Sequence, residues 1–253
     1  MTRFRPNSAL VALLLVVMGP GIASLRAEDG LHDRYDALLK KYVVGTSVDY
    51  ARFHRNAADL EALYAYVDTL ERVQPESLSR DAQLAYWINL YNAATLELIL
   101  RNYPLESIKD IGGLFDSPWE REVVTVAGEA LTLNAIENDI IRPRFQDARI
   151  HFAVNCAAKS CPPLADFAYR GSMIDTQLDA VTRQALTDSR WLEITDNEIR
   201  ISKILDWYKD DFVEYSGSIR DFLSAFRPED RDRIMDEDRD IEVMDYDWKL
   251  NGA

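Results

Sequence analysis

Residues 85–94 have the sequence AYWINLYNAA, and we expect this stretch to decide the fold. Apolar side chains occupy nearly every side of a helix through these residues, which is typical of a helix that lies inside a domain. The helix is predicted to run from about Ser79 to Tyr103. Asn89 and Asn92 lie three positions apart on one face, and buried amides need partners. We interpret both as ties between the helix and nearby backbone, with the lining of a substrate pocket as the alternative.

The rest of the chain predicts helices that are grouped with β-hairpins. Alternating apolar residues around a turn predict one hairpin at 123–133 and another at 191–201. A β-branched and aromatic run at 149–155 predicts a buried strand, and residues 48–53 predict a short one. Because helices and hairpins do not alternate as βαβ units, we expect an α+β fold. We predict a single domain over residues 28–253, with a buried central helix, antiparallel hairpins and surrounding helices.

Residues 1–27 have the pattern of a secretory signal peptide. Two arginines precede the apolar run at 9–18, and small residues follow it. That run is about half the roughly 20 residues that a membrane-spanning helix needs, so no stable membrane anchor is expected after cleavage. We therefore predict an exported protein, periplasmic or secreted, that is cut after Ala23 or Ala27.

The 253-residue chain carries a net charge of −14 at neutral pH, from 43 acidic and 29 basic side chains. Such a surface repels phosphate groups and anionic lipids, and the sequence has no basic cluster to offset the repulsion. Nucleic acid is therefore not an expected partner. We expect a small-molecule or peptide ligand, whereas the substrate and the oligomeric state are not determined by the sequence.

The segment from His151 to Cys161 is the densest in reactive groups. Its sequence is HFAVNCAAKSC, and two prolines follow it directly. Cys156 is the candidate nucleophile, because a turn after a strand could present backbone amides that lower the pKa of its thiol and bind an oxyanion. His151 is the candidate base.

Strand geometry limits this pairing. On an extended strand, His151 and Cys156 would lie roughly 16 Å apart, with their side chains on opposite faces. A direct pair requires the strand to end early and the chain to fold back. Otherwise His151 would pair with groups from other segments, such as Glu137 or the amides of Asn89 and Asn92.

Several motifs resemble the family of domain of unknown function 547 (DUF547). The matching stretches are YWINLYNA at 86–93, IEN at 136–138, HFAVNC at 151–156, KSCPPL at 159–164 and WYK at 207–209. The resemblance extends from about residue 79 to residue 212 and implies that the chain contains this domain. The family name confers no activity, so the resemblance leaves the mechanism open.

Other interpretations of the same residues compete with catalysis. In an oxidising compartment, Cys156 and Cys161 could form a disulfide, with Asn155 capping a turn and His151 satisfied in the core. The loop would then brace a non-catalytic binding or accessory module. A thiol redox protein is the third hypothesis, which the spacing disfavours because it departs from Cys-x-x-Cys.

No metal or cofactor site is predicted. A site made of His151, Cys156 and Cys161 would provide three ligands, but strand geometry separates the histidine from the thiolates. The other histidines, His32 and His54, lie among charged residues and are expected to be exposed to solvent.

Overall fold

The structure is a computed structural model that describes residues 29–113 and 117–253. The predicted signal peptide lies outside these described residues. The α-helices are α1 Asp33–Tyr42, α2 Tyr50–His54, α3 Ala57–Glu71, α4 Arg80–Arg101, α5 Arg142–Phe145, α6 Ile174–Leu186, α7 Lys203–Trp207, α8 Lys209–Ser216, α9 Ile219–Phe226 and α10 Arg231–Ile234. The strands are β1 Val43–Val44, β2 Ser47–Val48, β3 Glu122–Val126, β4 Glu129–Thr132, β5 Leu192–Ile194, β6 Glu198–Ile201 and β7 Asp240–Val243.

Helix α4 is the central helix that the sequence predicts. The side chain of Ser79 caps its N-terminus by accepting the N–H of Ala82. From Leu84 to Leu96 every side chain is buried, because helices α3 and α6 and several shorter segments pack around the helix. Although α4 is largely apolar, no helix in the described ranges has the length and hydropathy needed to cross a membrane.

The strands form small sheets beside this helical core. Strands β3 and β4 pair antiparallel, and so do β5 and β6, which confirms both predicted hairpins. Strand β7 joins β6 in parallel, so the sheet order is β5-β6-β7. Helices and small sheets together make the α+β fold that the sequence predicts.

The predicted strand at 149–155 is wrong, because residues Ala148–Phe152 form a 3-10 helix. The carboxylate of Asp147 caps this helix by accepting the N–H of Arg149 at 3.0 Å. The guanidinium group of Arg149 also forms ion pairs with Asp147 and with two carboxylates of α6. Local capping and these ion pairs therefore override the strand propensity of the β-branched and aromatic residues.

The predicted strand at 48–53 is also wrong over most of its length. Strand β2 ends at Val48, and helix α2 begins two residues later. The side chain of Asp49 accepts the N–H of Arg52 at 3.0 Å, so a helix cap replaces the expected strand.

Residues 244–253, which we call the C-terminal strap, run beside the cysteine-containing loop. Strand β7 ends at Val243, and within this segment only isolated bridges follow it. The Lys159 N–H donates to the carbonyl of Lys249 at 2.8 Å, and the Asn251 N–H donates to the carbonyl of Ala157 at 2.9 Å. The strap therefore holds the loop by its backbone and brings its own side chains to the same place.

Candidate active site

A cleft of about 300 Å³ opens above the cysteine-containing loop. Its lining includes Cys156, Cys161 and His151, which the sequence singles out. Glu137 lines the same cleft and lies on a π-helix, Ala135–Ile141. Single π-helical turns are frequent at functional sites.

A strained turn presents Cys156 to the cleft. The next residue, Ala157, has a φ of 62°, a left-handed conformation that costs energy for a side chain with a Cβ. The side chain of Asn155 holds the turn, because its Oδ1 accepts the Ala157 N–H at 2.9 Å and its Nδ2 donates to the Pro162 carbonyl at 2.6 Å. Asn251 of the strap donates to the same Oδ1 at 3.3 Å. These hydrogen bonds fix the turn and therefore the position of the Cys156 sulfur.

Three hydrogen-bond donors surround the sulfur of Cys156. They are the thiol of Cys161, the hydroxyl group of Tyr246 at 3.3 Å and the N–H of Ala158. These contacts, led by that of Cys161, lower the pKa of the Cys156 thiol although burial opposes the shift. Burial raises the pKa of the Cys161 thiol, so Cys161 keeps its proton when Cys156 becomes a thiolate.

The predicted disulfide is not formed, and Cys156 and Cys161 are both free thiols. Their contact is a hydrogen-bonded one, since the sulfur of Cys161 also accepts the N–H of Cys156 at 3.0 Å. Cys161 is buried, whereas Cys156 is half-buried and faces the cleft. Hydrogen bonds from Asn155 and from the C-terminal strap stabilise the loop without a disulfide.

The imidazole of His151 is fixed from two sides. Its Nε2 lies 2.7 Å from Oδ2 of Asp211, and the ring of Tyr208 stacks on it at a centroid distance of 3.9 Å. Arg142 donates two hydrogen bonds to Asp211, at 2.7 and 2.8 Å. Burial alone would raise the pKa of the Asp211 carboxyl group, but the hydrogen bonds from Arg142 and His151 hold it well below its usual range.

This arrangement assigns the tautomer of His151. An ionised Asp211 can only accept a hydrogen bond, so Nε2 carries the ring proton when the imidazole is neutral. The other nitrogen, Nδ1, is buried and has no hydrogen-bond partner among the described residues. Nδ1 therefore has a free lone pair in a residue that lines the cleft, which is what a general base requires.

The expected separation of His151 and Cys156 rests on a strand that is absent. Because a 3-10 helix and a tight turn replace it, both side chains line one cleft. No hydrogen bond joins them within the described parts of the chain. Glu137, the alternative partner of His151, instead accepts a hydrogen bond from the hydroxyl group of Tyr208.

The two amides of α4 support the site from behind and do not line the cleft. Asn92 donates to the Ala153 carbonyl at 2.9 Å and accepts the Asn155 N–H at 2.8 Å. Asn89 likewise donates to the Tyr169 carbonyl at 2.8 Å and accepts the Tyr169 N–H at 2.9 Å. Asn92 thus ties the central helix directly to the residue that precedes Cys156.

Comparison with known proteins places this segment in a family. Residues 75–185 match the family model described as "Protein of unknown function, DUF547". The chain contains a DUF547 domain. Searches of curated proteins and of solved structures found no match.

The DUF547 match covers only part of the site. Cys156, Cys161, His151 and Glu137 lie inside the matched range, whereas the histidine's partner Asp211 follows it in α8. The sequence-based resemblance included WYK at 207–209, although the family model ends before this stretch. Part of the cleft is therefore built by chain that follows the DUF547 match.

Sequence reasoning missed several residues of this cleft. They are Tyr208, Tyr246 and the tryptophans Trp119, Trp207 and Trp248. It also missed Asp211, which does not line the cleft but contacts His151. Asp211 is one acid among many and gives no distinguishing signal. The strap sequence DYDW at 245–248 does give a distinguishing signal. Its aromatic and acidic residues alternate, although this segment belongs to no sheet.

The remaining histidines differ from each other. His54 is exposed, as expected, but His32 is 3% exposed and its Nδ1 lies 2.6 Å from the hydroxyl oxygen of Tyr66. Burial, helped by the charge of Arg170, lowers the pKa of His32 to about 4. In residues 29–113 and 117–253, no three His, Cys, Asp or Glu side chains are grouped so as to hold a metal ion.

Proposed function

We propose that this protein is a cysteine-dependent hydrolase or acyl transferase whose nucleophile is Cys156. The observation that carries the proposal is the environment of its sulfur, which faces a cleft among three donors that lower the pKa of the thiol. The thiolate is the nucleophilic form of cysteine. A structural cysteine in an apolar interior has a raised pKa, as Cys161 does, so the shift at Cys156 is in the direction that catalysis needs.

The proposed reaction starts with attack of the Cys156 thiolate on the carbonyl carbon of an ester or amide. The carbonyl π electrons move to oxygen, and the hydroxyl group of Tyr246, beside the sulfur, donates to this oxyanion. The proton that the thiol releases is held at Nδ1 of His151. Collapse of the intermediate breaks the bond to the leaving alcohol or amine, which takes that proton, and a thioester remains on Cys156.

The second half of the reaction regenerates the enzyme. Water, or an acceptor alcohol or amine in a transferase, attacks the thioester carbonyl while Nδ1 of His151 takes its proton. The carbon–sulfur bond then breaks, and Cys156 leaves as a thiolate. The ion pair of Asp211 with Arg142 keeps Asp211 ionised, so it stabilises the imidazolium in both halves.

The test is acylation of the purified protein by p-nitrophenyl acetate, followed by intact mass and peptide mapping. We expect a burst of nitrophenol and one acetyl group on Cys156. Cys156→Ser should give neither, while Asp68→Asn, which changes an exposed acid outside the cleft, should give both. Alkylation by iodoacetamide that persists unchanged in Cys156→Ser, or the absence of an acetyl-enzyme, would contradict the proposal.

A thiol redox protein is the second candidate, and the contact between the two thiols favours it. A half-buried thiolate beside a buried thiol is the arrangement in which one cysteine reacts with an oxidant and the other resolves the product. The pair would lose two electrons and two protons to an external disulfide. A measured reduction potential in the range of thiol oxidoreductases, together with absence of the acetyl-enzyme, would support this candidate over the hydrolase.

We propose in addition that the protein acts after export. The support is the sequence pattern of residues 1–27, which lies outside the described residues. N-terminal sequencing of protein recovered from the cell envelope and the medium tests this. A mature chain that begins at Ser24 or Glu28 supports export, and an intact Met1 in the cytoplasm contradicts it.

A further inference from the structure

One side of the cleft is formed by four aromatic side chains, which we call the aromatic wall: Trp119, Trp207, Tyr246 and Trp248. Their rings contact each other. Trp207 stacks near Trp248 with centroids 5.8 Å apart and planes at 29°, while Trp119 meets Trp248 edge-on at 5.4 Å. Trp207 is 45% exposed. The wall therefore presents ring faces to a ligand on side chains that hold one another in position.

The same cleft contains an acidic side chain, Glu137, that makes no ion pair in the described residues, although it lies close enough to Arg142 for their charges to interact. Glu137 is 7% exposed. Buried carboxylates are normally paired or bound to a cation. The cleft lining includes no lysine or arginine, and Arg142, just behind His151, is already paired with Asp211.

Exposed acidic residues also flank the aromatic wall in the sequence. Each residue of the aromatic wall has an exposed acidic neighbour in sequence: Glu120, Asp206, Asp245 and Asp247. Basic residues lie nearby as well. Lys203 pairs with Asp206 at 3.4 Å, Lys109 lies over the ring of Trp248, and Lys159 and Lys249 lie where the strap pairs with the loop. The lining itself has the carboxyl group of Glu137 and no lysine or arginine, so it offers no cationic partner to an anionic ligand.

The ammonium group of one of the protein's own lysines already contacts the aromatic wall. The ammonium group of Lys109 lies 3.6 Å from the centroid of the Trp248 ring. That distance is well within the range at which an ammonium group is attracted to the face of an indole. The wall thus has the electrostatic character that a cationic ligand requires, and Trp207 still has exposed ring surface.

The geometry points to a substrate that carries an alkylammonium group beside the acyl group that Cys156 attacks, with the cation held between the aromatic wall and Glu137. This inference rests on the proposed function for the position of the acyl group. Recognition of the cation depends only on Glu137 and the wall. A small amide or ester of an amine-bearing alcohol, or a peptide with a basic side chain next to the reacting bond, has this chemistry.

The test is calorimetric titration of the protein with choline and with 3,3-dimethyl-1-butanol, which has the same shape and no charge. Methyl glucoside serves as a neutral sugar probe. We expect choline to bind at least about tenfold more tightly than the uncharged isostere. Equal binding of choline and the uncharged isostere would overturn the inference. Tighter binding of methyl glucoside would also overturn it, because the aromatic wall would then be a sugar-binding surface.

Variants separate the sources of the affinity. Glu137→Gln keeps the acceptor for Tyr208 but removes the charge, and Trp207→Leu keeps an apolar surface but removes the ring face. Each should weaken choline binding about tenfold, whereas Trp207→Phe should weaken it less. Asp68→Asn removes one charge from an exposed site on α3 and should leave choline binding unchanged. If Asp68→Asn weakens choline binding as much as Glu137→Gln does, the overall negative charge of the protein attracts choline. That result would contradict a specific cation site.

These titrations do not depend on the reactivity of the thiol. If choline binds as expected and p-nitrophenyl acetate does not acylate Cys156, the cation site stands and the proposed hydrolase fails. If Cys156 is acylated and choline does not bind selectively, the hydrolase stands and the substrate class is wrong.

Discussion

The hydroxyl oxygen of Tyr246 lies 3.3 Å from the sulfur of Cys156, although 90 positions separate the two residues in sequence. The C-terminal strap makes this contact by running along the cysteine-containing loop. Burial, strengthened by the two thiols, raises the pKa of the Tyr246 phenol, so its hydroxyl group stays protonated and donates to the thiolate. A residue far outside the DUF547 match therefore helps to set the reactivity of a cysteine inside it.

Tyr246→Phe should make Cys156 less acidic. A hydrogen bond to a charged group is worth roughly 1.5–3 kcal/mol, so we expect the midpoint of the pH profile for iodoacetamide labelling to rise by about one to two units. Tyr215→Phe removes the same hydroxyl group from an exposed tyrosine outside the cleft and should leave the profile in place. A profile that does not move in Tyr246→Phe would mean that the hydroxyl group does not act on the sulfur.

Cys161→Ala should raise the pKa of Cys156 further than Tyr246→Phe does. The reason is that the contact with Cys161 makes the largest contribution to the lowered pKa. The measurement is the same labelling profile, with peptide mapping to show that the label is on Cys156. If Tyr246→Phe has the larger effect, the assignment of the proton to Cys161 is incorrect.

Asp211→Asn should lower both stability and activity. The pKa of the Asp211 carboxyl group is depressed in the folded chain, so its stabilising effect is present at neutral pH and is lost as the pH falls below about 4. We expect Asp211→Asn to lower the free energy of unfolding at pH 7 by about 2–3 kcal/mol, because Arg142 is left without its carboxylate. Urea titrations at pH 7 and pH 3 should show a smaller difference between the two proteins in acid.

The same change should reduce acetylation of Cys156 by about a hundredfold or more, because an amide no longer fixes the tautomer of His151. Asp210→Asn provides the matched control, since it removes an exposed charge at the adjacent position of α8. If Asp210→Asn and Asp211→Asn have equal effects on rate, the role assigned to the contact with His151 is wrong.

The parts of the fold that could be predicted are those with a strong periodic signal. The segment around Trp87 is apolar on all sides, and the structure buries it on all sides as α4. The hairpins at 123–133 and 191–201 combine alternation with a turn and form as predicted. In each case local propensity and tertiary packing favour the same structure.

Prediction was wrong where a polar side chain competes with propensity. The run at 149–155 favours a strand, but the cap by Asp147 and the ion pairs of Arg149 produce a 3-10 helix. This single difference changes the expected relation of His151 to Cys156. The position of Tyr246 depends on how a segment without regular structure is laid along the loop, and no periodicity encodes that.

Asn92→Leu should destabilise the domain and disturb the site. It leaves the buried carbonyl of Ala153 and the buried N–H of Asn155 without partners, which costs roughly 1–3 kcal/mol for each group. We expect the free energy of unfolding in urea to fall by about 3 kcal/mol. Labelling of Cys156 should also slow under native conditions, because Asn155 holds the turn beside it. A loss below about 1 kcal/mol would contradict the role of Asn92 as a tie between helix and loop.

His32→Gln should flatten the dependence of stability on pH in weak acid. The pKa of His32 is about 4 in the folded chain and about 6.5 in the unfolded chain, so the unfolded chain binds the extra proton first as the pH falls. Stability from neutral, buried His32 is therefore complete above about pH 6.5 and decreases toward pH 4. We expect His32 to account for a fall of about 2 kcal/mol between pH 7 and pH 5 in the wild-type protein, and this part should be absent from His32→Gln. Urea titrations at both pH values measure the difference, and the same decrease in the two proteins would show that His32 takes up its proton without unfolding.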